Sequence, residues 1–182
     1  MVCASHGPVL TKGCRLEYAL EKYREWSAPR KNPVLTVPVF YCSAYGNTAR
    51  LAEAICAGIR QAVPDACTRT YDIIRHPMGE LAAMLNGCDG FAIGSPTLNR
   101  DAVQPVWDLL SRVDAVNSPK RPALIFGSYG WSGEAAANLK ARLDGLKMAL
   151  FEEPFRVVFV PTEEDLEKAR QLGERFAASM KK

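Results

Sequence analysis

The sequence predicts an α/β domain: a five-stranded parallel sheet in the order 2-1-3-4-5, with helices on both faces. Three observations lead there. From Val34 on, β-rich apolar runs alternate with stretches of helical periodicity, the pattern of a parallel sheet with crossover helices. The first run, Val34–Cys42, is apolar almost throughout, as a strand covered on both faces requires. Five strands joined by right-handed crossovers then favour 2-1-3-4-5 among the doubly wound orders.

Residues 1–32 read differently from the rest. Met1–Gly13 has no periodicity, whereas Leu16, Ala19, Leu20, Tyr23 and Trp26 recur at helical spacing and predict a short amphipathic helix. Pro29-Arg30-Lys31-Asn32-Pro33 reads as a linker, so the main domain is placed at residues 33–182. Within it, Val34–Cys42 is the first strand. Thr48–Ala62 follows as a helix, with Leu51, Ala52, Ile55, Ile59 and Ala62 on one stripe. Cys67–Ile74 is the second strand and Gly79–Leu85 a short helix. Gly90–Gly94 is the third strand, and Ala102–Val116 a helix that tolerates Pro105 in its first turn. Pro122–Gly127 is the fourth strand, Glu134–Leu146 a helix, and Phe155–Val160 the fifth strand. Thr162-x-x-Asp165 has the form of a capping box and opens a last helix running to Met180.

Composition limits the function. The 182 residues suffice for one ordinary domain with an appendage, and 48% apolar with 24% charged is a globular balance. The longest mostly apolar run, about ten residues, is half of a membrane span. Lys plus Arg total 23 and Asp plus Glu 20, and a net charge of +3 does not argue for nucleic acid. There are six cysteines and no C-x-x-C pair, and His6 and His76 are far apart in sequence, which argues against a zinc knuckle. The cysteines mostly sit in apolar stretches, as buried thiols in a reducing compartment do. The first residues lack the apolar core of a signal peptide and the Arg/Ser-rich character of a transit peptide.

In such a sheet, ligands bind beyond the carboxyl ends of the strands, so the loops after strands 1, 3 and 4 should carry the chemistry. The first is Ser43-Ala44-Tyr45-Gly46-Asn47-Thr48. It has neither G-x-G-x-x-G nor G-x-x-x-x-G-K, but it is rich in hydroxyl and amide donors and feeds a helix N-terminus, where anions are favoured. It reads either as a phosphate cradle of neutral groups or as a loop in which Thr48 simply caps the helix. The second loop, Gly94-Ser95-Pro96-Thr97-Leu98-Asn99, offers polar groups beside a stiff proline, suited to a flat heterocycle or to an ordinary turn. The third, Gly127-Ser128-Tyr129-Gly130-Trp131-Ser132-Gly133, sets two aromatics among three glycines. A Trp there has few neighbours to bury it, and a stacked ring is its natural partner unless it anchors the loop on its own domain. Together the three loops match flavin mononucleotide (FMN).

These motifs, with Phe126-Gly127-Ser128-Tyr129-Gly130-Trp131-Ser132-Gly133-Glu134-Ala135 the most specific, resemble the FMN loops in the flavodoxin-like domain of flavodiiron proteins. The resemblance runs from about Pro33 to the C-terminus, and is nearest to the flavodiiron proteins of oxygenic phototrophs. Ala4-Ser5-His6-Gly7-Pro8-Val9 is similar to the end of that family's metallo-β-lactamase-like diiron domain, in which the histidine is an iron ligand. His6 would then be a ligand only in a full-length parent, since one histidine cannot hold two irons. The resemblance implies that residues 1–32 are a domain tail plus linker, and that the sequence is a fragment.

Carried over to this chain, it assigns the FMN phosphate to Ser43, the main chain of Tyr45, Gly46, Asn47 and Thr48. The isoalloxazine falls between Pro96, Thr97, Leu98 and Asn99 on one side and Ser128, Tyr129, Gly130, Trp131 and Gly133 on the other. Trp131 is the stacking ring, and Gly130 is the place where a carbonyl can rotate towards reduced N5. No residue is required as acid, base or nucleophile. The implied function is electron transfer from NADPH or ferredoxin through FMN to a diiron site in another subunit that reduces O2 to water. A second flavin would belong to the full-length protein, a homo- or hetero-oligomer of chloroplast stroma or cyanobacterial cytoplasm. A free flavodoxin-type carrier, an FMN-dependent quinone reductase and a flavin-free scaffold are the alternatives.

Overall fold

The structure is a computed structural model that describes every position except 4, 14, 29–31, 119 and 182. Most of the predicted linker (Pro29, Arg30 and Lys31), Cys14 and the terminal Lys182 therefore lie outside the described residues. The chain forms two compact units, Met1–Lys31 and Asn32–Lys182. In the first, an isolated antiparallel bridge joins Val2 to Leu10, and helix α1 spans Leu16–Ser27. No residue of α1 is buried, so its apolar stripe is not part of a core within this unit.

The second unit is the predicted parallel sheet. Its strands are β1 (Val39–Tyr41), β2 (Thr70–Asp72), β3 (Phe91–Leu98), β5 (Pro122–Tyr129), β6 (Ala149–Leu150) and β7 (Phe155–Val158). A two-residue strand, β4 (Asp101–Ala102), runs antiparallel to the end of β3. The order is β2-β1-β3-β5, and the place beside β5 is shared: β6 pairs with Pro122 and Ala123, β7 with Phe126 to Tyr129. The predicted fifth strand, Phe155–Val160, is β7 and ends at Val158, where Phe159 turns left-handed, and β6 is an additional segment outside the predicted bounds. The short β6 follows a turn at Lys147, whose φ is +59°, and is too brief to show periodicity in the sequence.

Alternation along the strands explains the layering. Val39, Ala92, Leu124 and Phe126 face one side, where α2 (Asn47–Ala62) and α6 (Glu163–Ser179) pack through Leu51, Ile55, Ile59, Leu172 and Phe176. Phe40, Phe91, Ile93 and Ile125 face the other side, against α3 (Met78–Gly87), α4 (Gln104–Leu110) and α5 (Glu134–Gly145). Period-two exposure of successive side chains to opposite faces requires this division. Helices α2 and α6 meet at glycines: a Cβ on Gly58 would overlap the carbonyl oxygen of Arg170, and one on Gly173 that of Ile55.

Several boundaries differ from expectation for definite reasons. The first strand pairs from Thr36, but Pro38 lacks the amide that would face β3, so the continuous ladder is confined to β1. The second strand ends at Asp72, whose carboxylate accepts from the amide of Ile74 and starts a 3-10 turn over Ile73–Arg75. Helix α4 stops at Leu110 rather than Val116. Asn86 donates to the carbonyl of Arg112 at 2.8 Å and accepts from the amide of Asp114 at 2.8 Å, diverting both groups from helical pairing. By contrast α6 begins as predicted, with the Thr162 hydroxyl accepting from Asp165 N–H and the Asp165 carboxylate accepting from Thr162 N–H.

Candidate functional site

Loops one and three are joined at the carboxyl edge of the sheet, and the third strand projects past it. Gly46, with φ +82°, caps α2, and nothing lies within 4 Å of where its Cβ would be. Its left-handed backbone turns the chain so that α2 starts with free amides at Asn47 and Thr48, which have no intrahelical acceptor. Ser43 takes the next amide, that of Ala49, at 3.3 Å. Thr48 is not the helix cap. Its hydroxyl is buried and shares a 2.9 Å hydrogen bond with the buried hydroxyl of Ser128, tying the first loop to the third. Tyr45 and Asn47 are more open, Tyr45 being 87% exposed.

The second predicted loop is no loop. β3 continues through Ser95, Pro96, Thr97 and Leu98 and returns as β4 through a two-residue turn at Asn99 and Arg100, with φ +50° and +61°. Both central residues left-handed is the tight hairpin geometry that suits the twist of the flanking strands. Pro96 is buried and faces Ser128 in register. The Ser95 hydroxyl is likewise internal: it accepts from Val103 N–H at 3.1 Å and donates to the Pro96 carbonyl at 2.8 Å. Leu98 is half-exposed.

Between the hairpin and the third loop lies a cleft of about 290 Å³ lined by Thr97, Asn99, Arg100, Gly130, Trp131, Ser132 and Glu134. Four of these were predicted from sequence; Arg100, Ser132 and Glu134 were not. Glu134 accepts from the Ser132 hydroxyl at 2.6 Å and lies 3.9 Å from the Arg100 guanidinium. The Ser132 hydrogen bond, more than Arg100, holds its carboxyl below the ordinary range. Asn138 of α5 donates to the Arg100 carbonyl and to the Asp101 carboxylate, fixing the hairpin tip. None of these three has a sequence signal beyond its nearness to the loops.

The two loop aromatics differ. Tyr129 is engaged: Arg156 lies 5.8 Å from its ring centroid, and a Cβ on Gly133 would be 3.0 Å from the ring. Gly133, left-handed with φ +73°, caps α5 against that ring. Trp131 is 95% exposed at the cleft, an aromatic face that none of the described residues buries. Free helix amides, neutral hydroxyls, a turn with room at Gly46 and an open indole are a donor set that fits a phosphorylated, flat heterocycle.

His6 is exposed between Val2 and Leu10, and among the described residues no group of three or more His, Cys, Asp or Glu gathers to hold a metal. The thiols divide. Cys42, Cys56 and Cys88 are buried as expected, but Cys3 and Cys67 are exposed. Burial pushes the Cys42 thiol up to about 12, which keeps it protonated beside the first loop.

The sheet order, with two loops and a hairpin gathered beyond its carboxyl edge, is that of a flavodoxin-type domain. The chain matches the flavodoxin family over residues 39–173, and it belongs to that family. It is 44% identical over 179 residues to the flavo-diiron protein FprA2 of Clostridium acetobutylicum, covering 98% of this chain and 45% of that protein. It is 38% identical to a putative diflavin flavoprotein of Thermosynechococcus vestitus, over 98% of this chain and 30% of the relative. Among solved structures, the metal-soaked Flv1 flavodiiron core from Synechocystis aligns with a TM-score of 0.75 at 30% identity, covering 91% of this chain and 41% of that one. Its homologues are thus flavodiiron and diflavin flavoproteins, and the chain spans less than half the length of those it matches. FMN is the cofactor of the flavodoxin domain, and flavodiiron homologues carry a diiron centre.

Proposed function

We propose that this chain holds FMN at the carboxyl edge of its sheet and passes electrons, drawn from NADPH or ferredoxin, to a diiron site in another subunit that reduces O2 to water. The observation that carries the reading is Trp131, an indole left almost wholly uncovered on the wall of a cleft that also contains Thr97, Asn99 and Gly130. Bound there, FMN would supply one- and two-electron chemistry that side chains lack. This chain's residues bind and orient. The amides of Asn47 and Thr48 and the Ser43 hydroxyl receive the phosphate, Trp131 covers the ring, and Gly130, Thr97 and Asn99 border it.

The first loop supports a phosphate site through position rather than charge, since Ser43, Asn47 and Thr48 are neutral and the helix end supplies the polarity. His6 would serve as an iron ligand only with ligands that lie outside this sequence. Partners are a diiron domain, in a homo- or hetero-oligomer, and an electron donor. No helix of the described residues is long and apolar enough to cross a membrane. Diflavin flavoprotein relatives from cyanobacteria support a setting beside photosynthetic electron transport, in cyanobacterial cytoplasm or chloroplast stroma.

The test is the visible absorption spectrum of the purified chain, with chromatography of what heat releases. The expected result is FMN at about one per chain, or uptake of added FMN to that level. A colourless chain that also refuses added FMN would overturn the flavin assignment and leave the fold standing.

A further inference from the structure

Phe159 is a bulky residue held in the left-handed region, with φ +55°. Such a conformation is rare for a side chain of this size and persists only where the surroundings enforce it. Core burial is not what enforces it, because Phe159 is 60% exposed and its neighbours Val158 and Val160 are also mostly exposed. Its contacts are instead with the third loop. The Phe159 amide donates to the Tyr129 carbonyl at 2.8 Å, directly after the Val158–Tyr129 register pair of β7 and β5. The left-handed turn there sets the ring against Gly130: a Cβ on Gly130 would lie 2.9 Å from Phe159 Cε1 and 3.3 Å from Cζ. Gly130 lines the cleft and precedes Trp131.

We propose that Phe159 is a positioning residue for the flavin site: its amide pins the Tyr129 carbonyl and its ring braces Gly130, fixing the segment that carries Trp131. The inference rests on the FMN reading above and adds a residue that touches no predicted contact loop in sequence. The ring lies close enough to Gly130 that a side chain there would have to displace it, and the backbone supplies the anchor on the residue before it. Strain at a functional edge is thereby converted into a fixed loop.

The test titrates FMN into the chain and its variants, following quenching of flavin fluorescence, visible circular dichroism of the bound flavin and the thermal unfolding midpoint. Phe159→Ala should weaken FMN about tenfold and alter the visible dichroism, the size expected for one lost ring contact. Phe159→Tyr, which keeps the ring, should bind within about twofold of the unsubstituted chain. Phe159→Gly removes the ring together with the strain. It should bind as weakly as Phe159→Ala while unfolding no lower, a split that a purely structural role would not produce. Unchanged affinity and dichroism in the Ala and Gly variants would overturn the role of Phe159, as would losses that Phe159→Tyr does not avoid. If the unsubstituted chain itself quenches no FMN fluorescence, the flavin reading fails first and the inference falls with it.

Discussion

An indole that is 95% exposed gains little from its own fold, so the value of Trp131 lies in what covers it. Trp131→Ala should weaken FMN by about tenfold or more and change the flavin absorption bands, while leaving the unfolding midpoint nearly unchanged. Equal affinity by fluorescence titration would remove it as the stacking ring. His76→Ala should leave FMN affinity untouched, because His76 packs edge-on to Tyr71 at 5.5 Å, outside the cleft. Thiol alkylation read by peptide mass spectrometry should label Cys3 and Cys67 at once, and Cys42, Cys56 and Cys88 only on unfolding. Trp131 was legible because glycines on either side leave it nothing to pack on. Ser95 and Pro96 were misplaced because nothing in Gly94–Leu98 signals that the strand continues, and Pro96 normally ends one. Arg100 carried no signal and Glu134 only its place at the end of the third motif, since their roles come from the hairpin that brings them to one cleft.

Helices α2 and α6 owe their close packing to two glycines, and this sets the expected cost of filling them. Gly173→Ala places a methyl onto the Ile55 carbonyl, so the helices must separate; the expected loss is about 3 kcal/mol or more in denaturant unfolding. Gly145→Ala at the end of α5 is the control: nothing lies within 4 Å of its Cβ position, and the change should be within about 1 kcal/mol of neutral or stabilising. The helices with clear punctuation were readable, α6 from its capping box and α2 from its apolar stripe and Gly46-Asn47-Thr48. The β3–β4 hairpin was not, because its turn is Asn99-Arg100 and an arginine at φ +61° has no counterpart among ordinary turn signals. The early end of α4 depends on Asn86, distant in sequence, and no local pattern could report it.

For the whole molecule, stability should fall at both ends of the pH scale. Glu167 is held down to about 2 mainly by the Arg170 hydrogen bond, Asp165 is lowered by the Thr162 amide and Glu152 by Arg175. Folded values below unfolded ones add stability that is present above about pH 4 and lost as pH falls through the folded values. These groups are exposed, so salt should shrink the acid effect. Burial raises Cys42 and Cys88 from 9.0 to about 12, so their contribution is intact below pH 9.0 and is lost as pH rises towards 12. A series of unfolding midpoints against pH checks both limbs. Residues Asn32–Lys182 contain all of both hydrophobic clusters, and a chain lacking the first unit should keep its unfolding midpoint and its FMN affinity.

The divided place beside β5 has a consequence for behaviour at high concentration. A free sheet edge is a template onto which another chain can add a strand, and long flat edges seed aggregation. Here that border offers two rungs of β6 and four of β7, with Glu152 between them in the left-handed region at φ +55° and drawn to Arg175. The opposite border, β2, is three residues long and turns at once into a 3-10 helix. Both borders are short and interrupted, so each offers only a brief template to a neighbour's strand.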